Sequence, residues 1–193
     1  MTNIQTKDLL IKQLECTKHT FHITSYAVTT LWQLFEEDKL IPNCGIMPKN
    51  LIHLNNFSSD EYFKFYDSLE DKKEGWQRNC GDAFNSAERV YIRETFEWIV
   101  DYTNYSNQQV EFESQPWFRI AKVLRNAVSH NWVITDFNKK YEIPFLLEHG
   151  SISYYGIAIR LEDVGKSPFT LGWNRNHTML LCDEILNFAH TLR

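Results

Sequence analysis

Apolar side chains recur at three- and four-residue steps near the N-terminus: Leu9, Leu10, Ile11, Leu14, Phe21, Ile23, Ala27, Leu31, Trp32, Leu34 and Phe35. That is the period of one helical face. No Pro or Gly interrupts residues 1–41. The pattern predicts one long helix, or two separated near residues 19–24. Thr2 and Gln5 stand at capping-box spacing, and Pro42, Gly45 and Pro48 supply the stop. Residues 42–58 read as loop with a short apolar patch, Leu51 and Ile52. Ser58 and Glu61 form a second capping-box pair before a short helix carrying Tyr62, Phe63, Phe65 and Tyr66. Residues 71–75 read as a charged break. A third helix is predicted from about Trp76 or Asp82 to Tyr105, with Phe84, Ala87, Tyr91, Trp98 and Tyr102 on its apolar side. Pro116 then suits the first turn of a fourth helix, where its missing N–H costs nothing.

The pattern changes after Trp132. Residues 132–137 and 141–147 look extended, and residues 152–161 are rich in β-branched and aromatic types. With turn chemistry around Gly150, this predicts a small antiparallel hairpin or three-stranded ribbon. Gly165, Pro168 and Gly172 mark a loop, and a final helix is expected at about 174–192. The expected fold is mainly α, a single domain over residues 1–193 with a β insertion at about 132–162.

Composition narrows the function classes. The chain has 193 residues, 23% charged and 15% aromatic, with only 7 Gly and 5 Pro. These values exclude disordered and low-complexity readings. A net charge of −5 argues against a bulk-electrostatic nucleic-acid binder, so any basic site has to be local. No stretch reaches the roughly 18 apolar residues of a membrane span, and no signal-peptide pattern opens the chain. Cys16, Cys44, Cys80 and Cys182 form no C-x-x-C pair, which predicts reduced, buried thiols in a cytoplasmic protein.

The fourth helix carries the chemistry. Projected at about 100° per residue, Trp117, Ile120, Ala121, Ala127 and Val128 fall within about 60° of Leu124. Arg119, Lys122, Arg125, Asn126, Ser129 and His130 fall on the opposite side. That side holds three permanent cations and a histidine and no acid, a local positive patch in an acidic chain. A solvated helix face is the plainer reading, but such faces usually interleave Glu with Lys and Arg. His130 closes the helix, where a charged imidazole suits the C-terminal dipole. Asn126 lies four residues earlier on the same side. Arg125 lies about 140° round and about 7.5 Å along the axis.

The run Arg125-Asn126-Ala127-Val128-Ser129-His130 resembles the R-x(4–6)-H motif of the HEPN superfamily, with Asn126 matching the polar residue that often follows the arginine. The resemblance is sharp over about residues 115–135 and architectural elsewhere. It implies an antiparallel helical bundle that dimerises. In active members it implies a metal-independent endoribonuclease of a toxin–antitoxin or defence system. Arg125, His130 and Asn126 would then be catalytic, and Arg119, Lys122 and Ser129 would contact RNA. The implied partners are RNA, a second copy of the chain and an antitoxin or regulatory protein, with no cofactor, metal or membrane. Silent members of the superfamily give the alternative, a binding or dimerisation module without activity; an unrelated helical interaction protein is the third reading.

Other constellations are weaker. Cys16, His19 and His22 stand at three-residue steps but spread about 120° round a helix, with no evident fourth ligand. His53, His149, His177 and His190 have no partner at motif spacing. Phosphate-loop, dinucleotide, zincin and hydrolase motifs are missing. Tyr154 and Tyr155 could stack on bases, although half-buried places in a small sheet explain them equally.

Overall fold

The computed structural model describes residues 4–37, 73–139 and 142–193. The expectations for Thr2, for the stop at Pro42 to Pro48, for the loop at 42–58 and for the short helix after Ser58 lie outside these residues. The chain divides into two units, Met1–His22 with Ala87–Arg193, and Ile23–Ser86.

Helix α1, Lys7–Glu36, runs without a break, so the interruption allowed near residues 19–24 does not occur. Its first turn is fastened by Thr6, whose hydroxyl accepts the Leu9 N–H at 3.2 Å. Leu10, Leu14, Thr17 and Phe21 are buried at steps of four, three and four, the spacing of one helix face. Cys16, expected inside, is exposed; it sits beside that stripe rather than on it. Helix α2, Lys73–Tyr105, starts earlier than the sequence pattern suggests. Residues 73–75, read as part of a charged break, are helical. Lys and Glu are good helix formers, and one Gly costs only about 1 kcal/mol. Tyr91, Ile92, Thr95, Phe96, Ile99, Tyr102 and Thr103 form its buried face.

In the unit that contains Ala87–Arg193, a short helix α3, Gln109–Glu113, places Phe112 among aromatic rings. Phe96, Trp117, Phe118 and Phe188 all have centroids within 4.9–6.2 Å of it. Helix α4, Phe118–Ser129, follows, with Trp117 as its N-cap and Pro116 just outside. Every residue of the Leu124 stripe is buried, and so are Phe118 and Val123. Ile120, Leu124 and Ala127 have no exposed surface, so this face of α4 lies wholly within the core.

The later part of the chain corrects three expectations. Residues expected to be extended at 141–147 are helical from Glu142, in α5, Glu142–His149. Residues 133–138 form no strand, although Ile134 exchanges backbone bonds of 2.9 Å with Lys166 and Gly165. The sheet is therefore a two-stranded antiparallel hairpin, β1 (Ile152–Tyr154) with β2 (Ile157–Ile159). Its turn is at Tyr155 and Gly156, both with positive φ (42° and 85°), the pattern of a two-residue type I′ loop. Gly150, the expected turn, instead ends α5 with φ 77° and donates its N–H to the Leu146 carbonyl. Two 3₁₀ turns, Leu161–Asp163 and Pro168–Leu171, lead to helix α6, Arg175–Thr191. Asn174 caps α6 by accepting from the Asn176 and His177 N–H groups. The architecture is mainly helical with one small antiparallel sheet.

Candidate functional site

The motif helix ends in a closed lock. The Ala127 carbonyl accepts both the His130 N–H at 3.0 Å and the Trp132 N–H at 2.8 Å. The second bond spans five residues and is the signature of a Schellman cap. Asn131 takes the left-handed position (φ 57°), a role Asn tolerates better than other residues with a Cβ. Trp132 is left-handed too (φ 61°), an unfavourable state for a bulky residue. Burial holds it there: its ring packs on Phe169 at 4.6 Å between centroids. A side chain from α2 completes the end. Arg89 donates Nε–H to the Val128 carbonyl at 2.9 Å and Nη1 to Asn131 Oδ1 at 3.3 Å. A cation at a helix C-terminus also complements the dipole.

His130 is the C-cap of α4 and is exposed. Its imidazole has no hydrogen-bond or ion-pair partner among the described residues. The expectation that it closes the helix holds, and its backbone is positioned by the cap on both sides.

The positive patch is different from the one inferred from the helix alone. Acids do compensate the cations, but they come from other elements. Arg125 Nη2 pairs with Glu97 Oε1 of α2 at 3.0 Å, and Nη1 donates to Asn126 Oδ1 at 3.3 Å. Lys122 pairs with Glu142 Oε1 of α5 at 2.9 Å, and that carboxylate is buried. Arg119 lies over the Phe145 ring at 4.1 Å from its centroid, a cation–π contact. Ser129 donates its hydroxyl to the Arg125 carbonyl at 3.0 Å, a local helical bond.

These contacts sort the six residues. Lys122, Arg125 and Asn126 line a groove of about 580 Å³ between α2 and α4, with Arg93, Glu97 and Trp98 on the opposite wall. Arg119 lines a separate, smaller depression with Phe145. Ser129 and His130 lie at the end of the helix and line neither. Within one chain the Arg125 guanidinium and the His130 imidazole share no hydrogen bond. The residues that reasoning from the motif missed are Arg89, Glu97 and Glu142. A signal for the first two exists in the sequence: Arg89, Arg93, Glu97 and Asp101 recur at four-residue steps, a charged ridge along one face of α2.

A second polar cluster is buried between α2 and α6. Trp173 donates its indole N–H to Thr178 Oγ1 at 3.0 Å, and Thr178 donates to Glu88 Oε1 at 2.5 Å. Burial pushes the Glu88 carboxyl above the ordinary glutamate range, while the Thr178 hydrogen bond and the Arg175 charge pull it back. Burial also pushes the Cys182 thiol up to about 12, so it is no nucleophile at neutral pH. Tyr154 is buried against Trp173, whereas Tyr155 is exposed at the hairpin turn and donates to Glu184 at 3.0 Å. His177 is a capping residue whose Nδ1 accepts the Asn174 N–H at 3.2 Å. Among the described residues no group of three His, Cys, Asp or Glu side chains is placed to hold a metal ion. No described helix is long and apolar enough to cross a membrane.

The chain matches no protein-family model, and comparison with curated proteins and with solved structures gives no match.

Proposed function

We propose that the chain is a metal-independent endoribonuclease of HEPN type, acting as a homodimer in a cytoplasmic toxin or defence system. The observation that carries this reading is the placement of His130: an exposed imidazole, unpartnered among the described residues, at the locked end of a helix whose other face is buried. A general acid–base has to be held on a rigid element and reach solvent-borne substrate, and His130 meets both demands. Arg125 and Asn126, one turn back, offer a planar permanent cation and an amide for a phosphate.

The chemistry needs two proton-transfer groups. One removes the proton of a ribose 2′-OH as its oxygen attacks the adjacent phosphorus. The other protonates the departing 5′-oxygen. The products are a 2′,3′-cyclic phosphate and a 5′-OH. Histidine has an ordinary pKa near 6.5 and serves in either role, but a single imidazole cannot stand on both sides of an in-line displacement. A two-fold axis passing near α4 would place two His130 and two Arg125 around one phosphate. The guanidinium would then stabilise the charge that develops on the phosphorane. In a toxin setting an antitoxin or regulatory protein would cover this face.

The Glu97–Arg125 pair favours a second reading. A guanidinium already occupied in the free protein also suits a catalytically silent HEPN-like module that binds RNA or a partner without cleaving it. The experiment that separates the two is incubation of total RNA with the protein in excess EDTA, followed by analysis of product ends. The enzyme reading predicts cleavage that persists in chelator and leaves cyclic phosphates. Binding without cleavage selects the module. Cleavage abolished by EDTA and rescued by Mg²⁺ or Zn²⁺ contradicts the proposed chemistry.

A further inference from the structure

The groove between α2 and α4 holds a contact that the motif itself does not explain. Arg125 faces Glu97 at 3.0 Å, and both side chains remain more than a third exposed (38% and 37%). The cap at the end of α4 is complete without this pair, since Arg89, Asn131 and Trp132 make it. The Leu124 stripe is also buried independently of it. A half-exposed carboxylate–guanidinium pair adds little to folding. Its consequence lies in what it denies to solvent: the groove's forked cation on α4, beside the motif's own Asn126.

We propose that Glu97 is an internal competitor of the RNA phosphate, occupying Arg125 in the free protein and leaving it when a strand enters the groove. The inference rests on the functional reading above, since it assigns the occupant as RNA. Carboxylate and phosphate both offer anionic acceptor oxygens to a guanidinium N–H; Glu97 uses one of them, Oε1 on Arg125 Nη2, while Nη1 donates to Asn126. The groove is suited to exchange of carboxylate for phosphate. Arg93 stands on the same wall as Glu97, exposed and without a partner among the described residues, ready to meet the strand first. Lys122 lines the opposite wall, beside Arg125 on the same helix face. A volume of about 580 Å³ accommodates a nucleotide-sized ligand. Glu97 therefore sets the threshold for RNA binding: a strand has to supply enough contact elsewhere along the groove to displace it. Isolated phosphate ions and weakly held strands would not.

The test uses a fluorescein-labelled 2′-O-methyl oligonucleotide, which has no 2′-OH and cannot be cleaved, with fluorescence anisotropy as the readout. Glu97→Gln keeps the size of the side chain and removes its charge. Glu94→Gln removes the same charge from the same groove at a residue with no contact to Arg125. Glu97→Gln is expected to bind the oligonucleotide about five- to ten-fold more tightly than wild type, about the factor set by losing one exposed ion pair and one like charge. Glu94→Gln is expected to change affinity by less than about two-fold. Affinity for Glu97→Gln that is unchanged or weaker overturns the proposal and makes Glu97 a support for Arg125. An equal gain in both variants also overturns it, by showing a bulk charge effect. If neither wild type nor Glu97→Gln binds, the functional reading falls and the inference falls with it. Binding by wild type without a gain in Glu97→Gln sinks the inference alone.

Discussion

Replacing Arg89 with Met tests whether α4 is held at its end from α2. Met keeps the apolar stem and removes both guanidinium contacts, the 2.9 Å bond to the Val128 carbonyl and the 3.3 Å bond to Asn131. A hydrogen bond from a charged donor contributes about 1.5–3 kcal/mol. The second contact is long, and the site is part-exposed, so the lower half of that range applies. A cation at a helix C-terminus adds about 0.3–1 kcal/mol. The expected loss is about 2 kcal/mol, or roughly 4–8 °C in melting temperature for a chain of this size. Urea denaturation followed by circular dichroism measures it. Hydrogen exchange at the His130 and Trp132 amides reports it locally, because both donate to the Ala127 carbonyl inside the cap. Arg93→Met, one turn along α2 and without a partner among the described residues, is the control and should stay within about 0.5 kcal/mol. A loss in Arg89→Met no greater than in the control, with unchanged exchange at the two amides, would refute the lock.

The remaining predictions concern the interior. Leu124→Ala should destabilise the protein by about 2–5 kcal/mol through a core cavity, because Leu124 has no exposed surface; urea titration gives the value, and a loss below about 1 kcal/mol would mean the stripe is not the core. Glu88→Gln should flatten the pH dependence of stability. With its folded pKa raised above the ordinary 4.5, Glu88 retains its proton in the folded state where the unfolded chain has lost it. Its contribution is present in full below pH 4.5 and is lost as pH rises through the folded value. The variant should therefore gain relative stability at neutral pH, and a wild-type-like slope in the variant would show that Glu88 is not the titrating group.

Periodicity exposed the Leu124 stripe of α4, though not the buried Phe118 and Val123 beside it, because one helix face needs no information from distant residues. The other face was read only halfway. Arg125 and Lys122 lack acids on their own helix, but Glu97 is 28 residues away and Glu142 is 20 residues further along the chain. No local window joins such pairs. The misreading of 141–147 has a local cause. Ile143, Phe145 and Leu146 look like strand residues, and a two-turn helix shows too few periods to contradict them. What settles the helix is Glu142, whose carboxylate accepts the Asn138 N–H at 2.5 Å and pairs with Lys122. The hairpin turn was misplaced for a related reason. Gly150 and Gly156 both offer positive φ, and Tyr at the first I′ position is a poor turn signal.

The central claim is that Arg125 and His130 cleave RNA from the end of α4. Its most direct test is the cleavage rate of wild type, His130→Ala and Arg125→Ala, measured alongside their unfolding free energies. His130 is exposed and unpartnered among the described residues, and Arg125 loses only a half-exposed ion pair, so both variants should stay within roughly 1 kcal/mol of wild type. Loss of a general acid–base costs about 10²–10⁴ in rate, and loss of a preorganised charge at the phosphate costs a similar factor. The account predicts folded variants with cleavage reduced by at least about 100-fold. Cleavage at the wild-type rate by folded His130→Ala would contradict it.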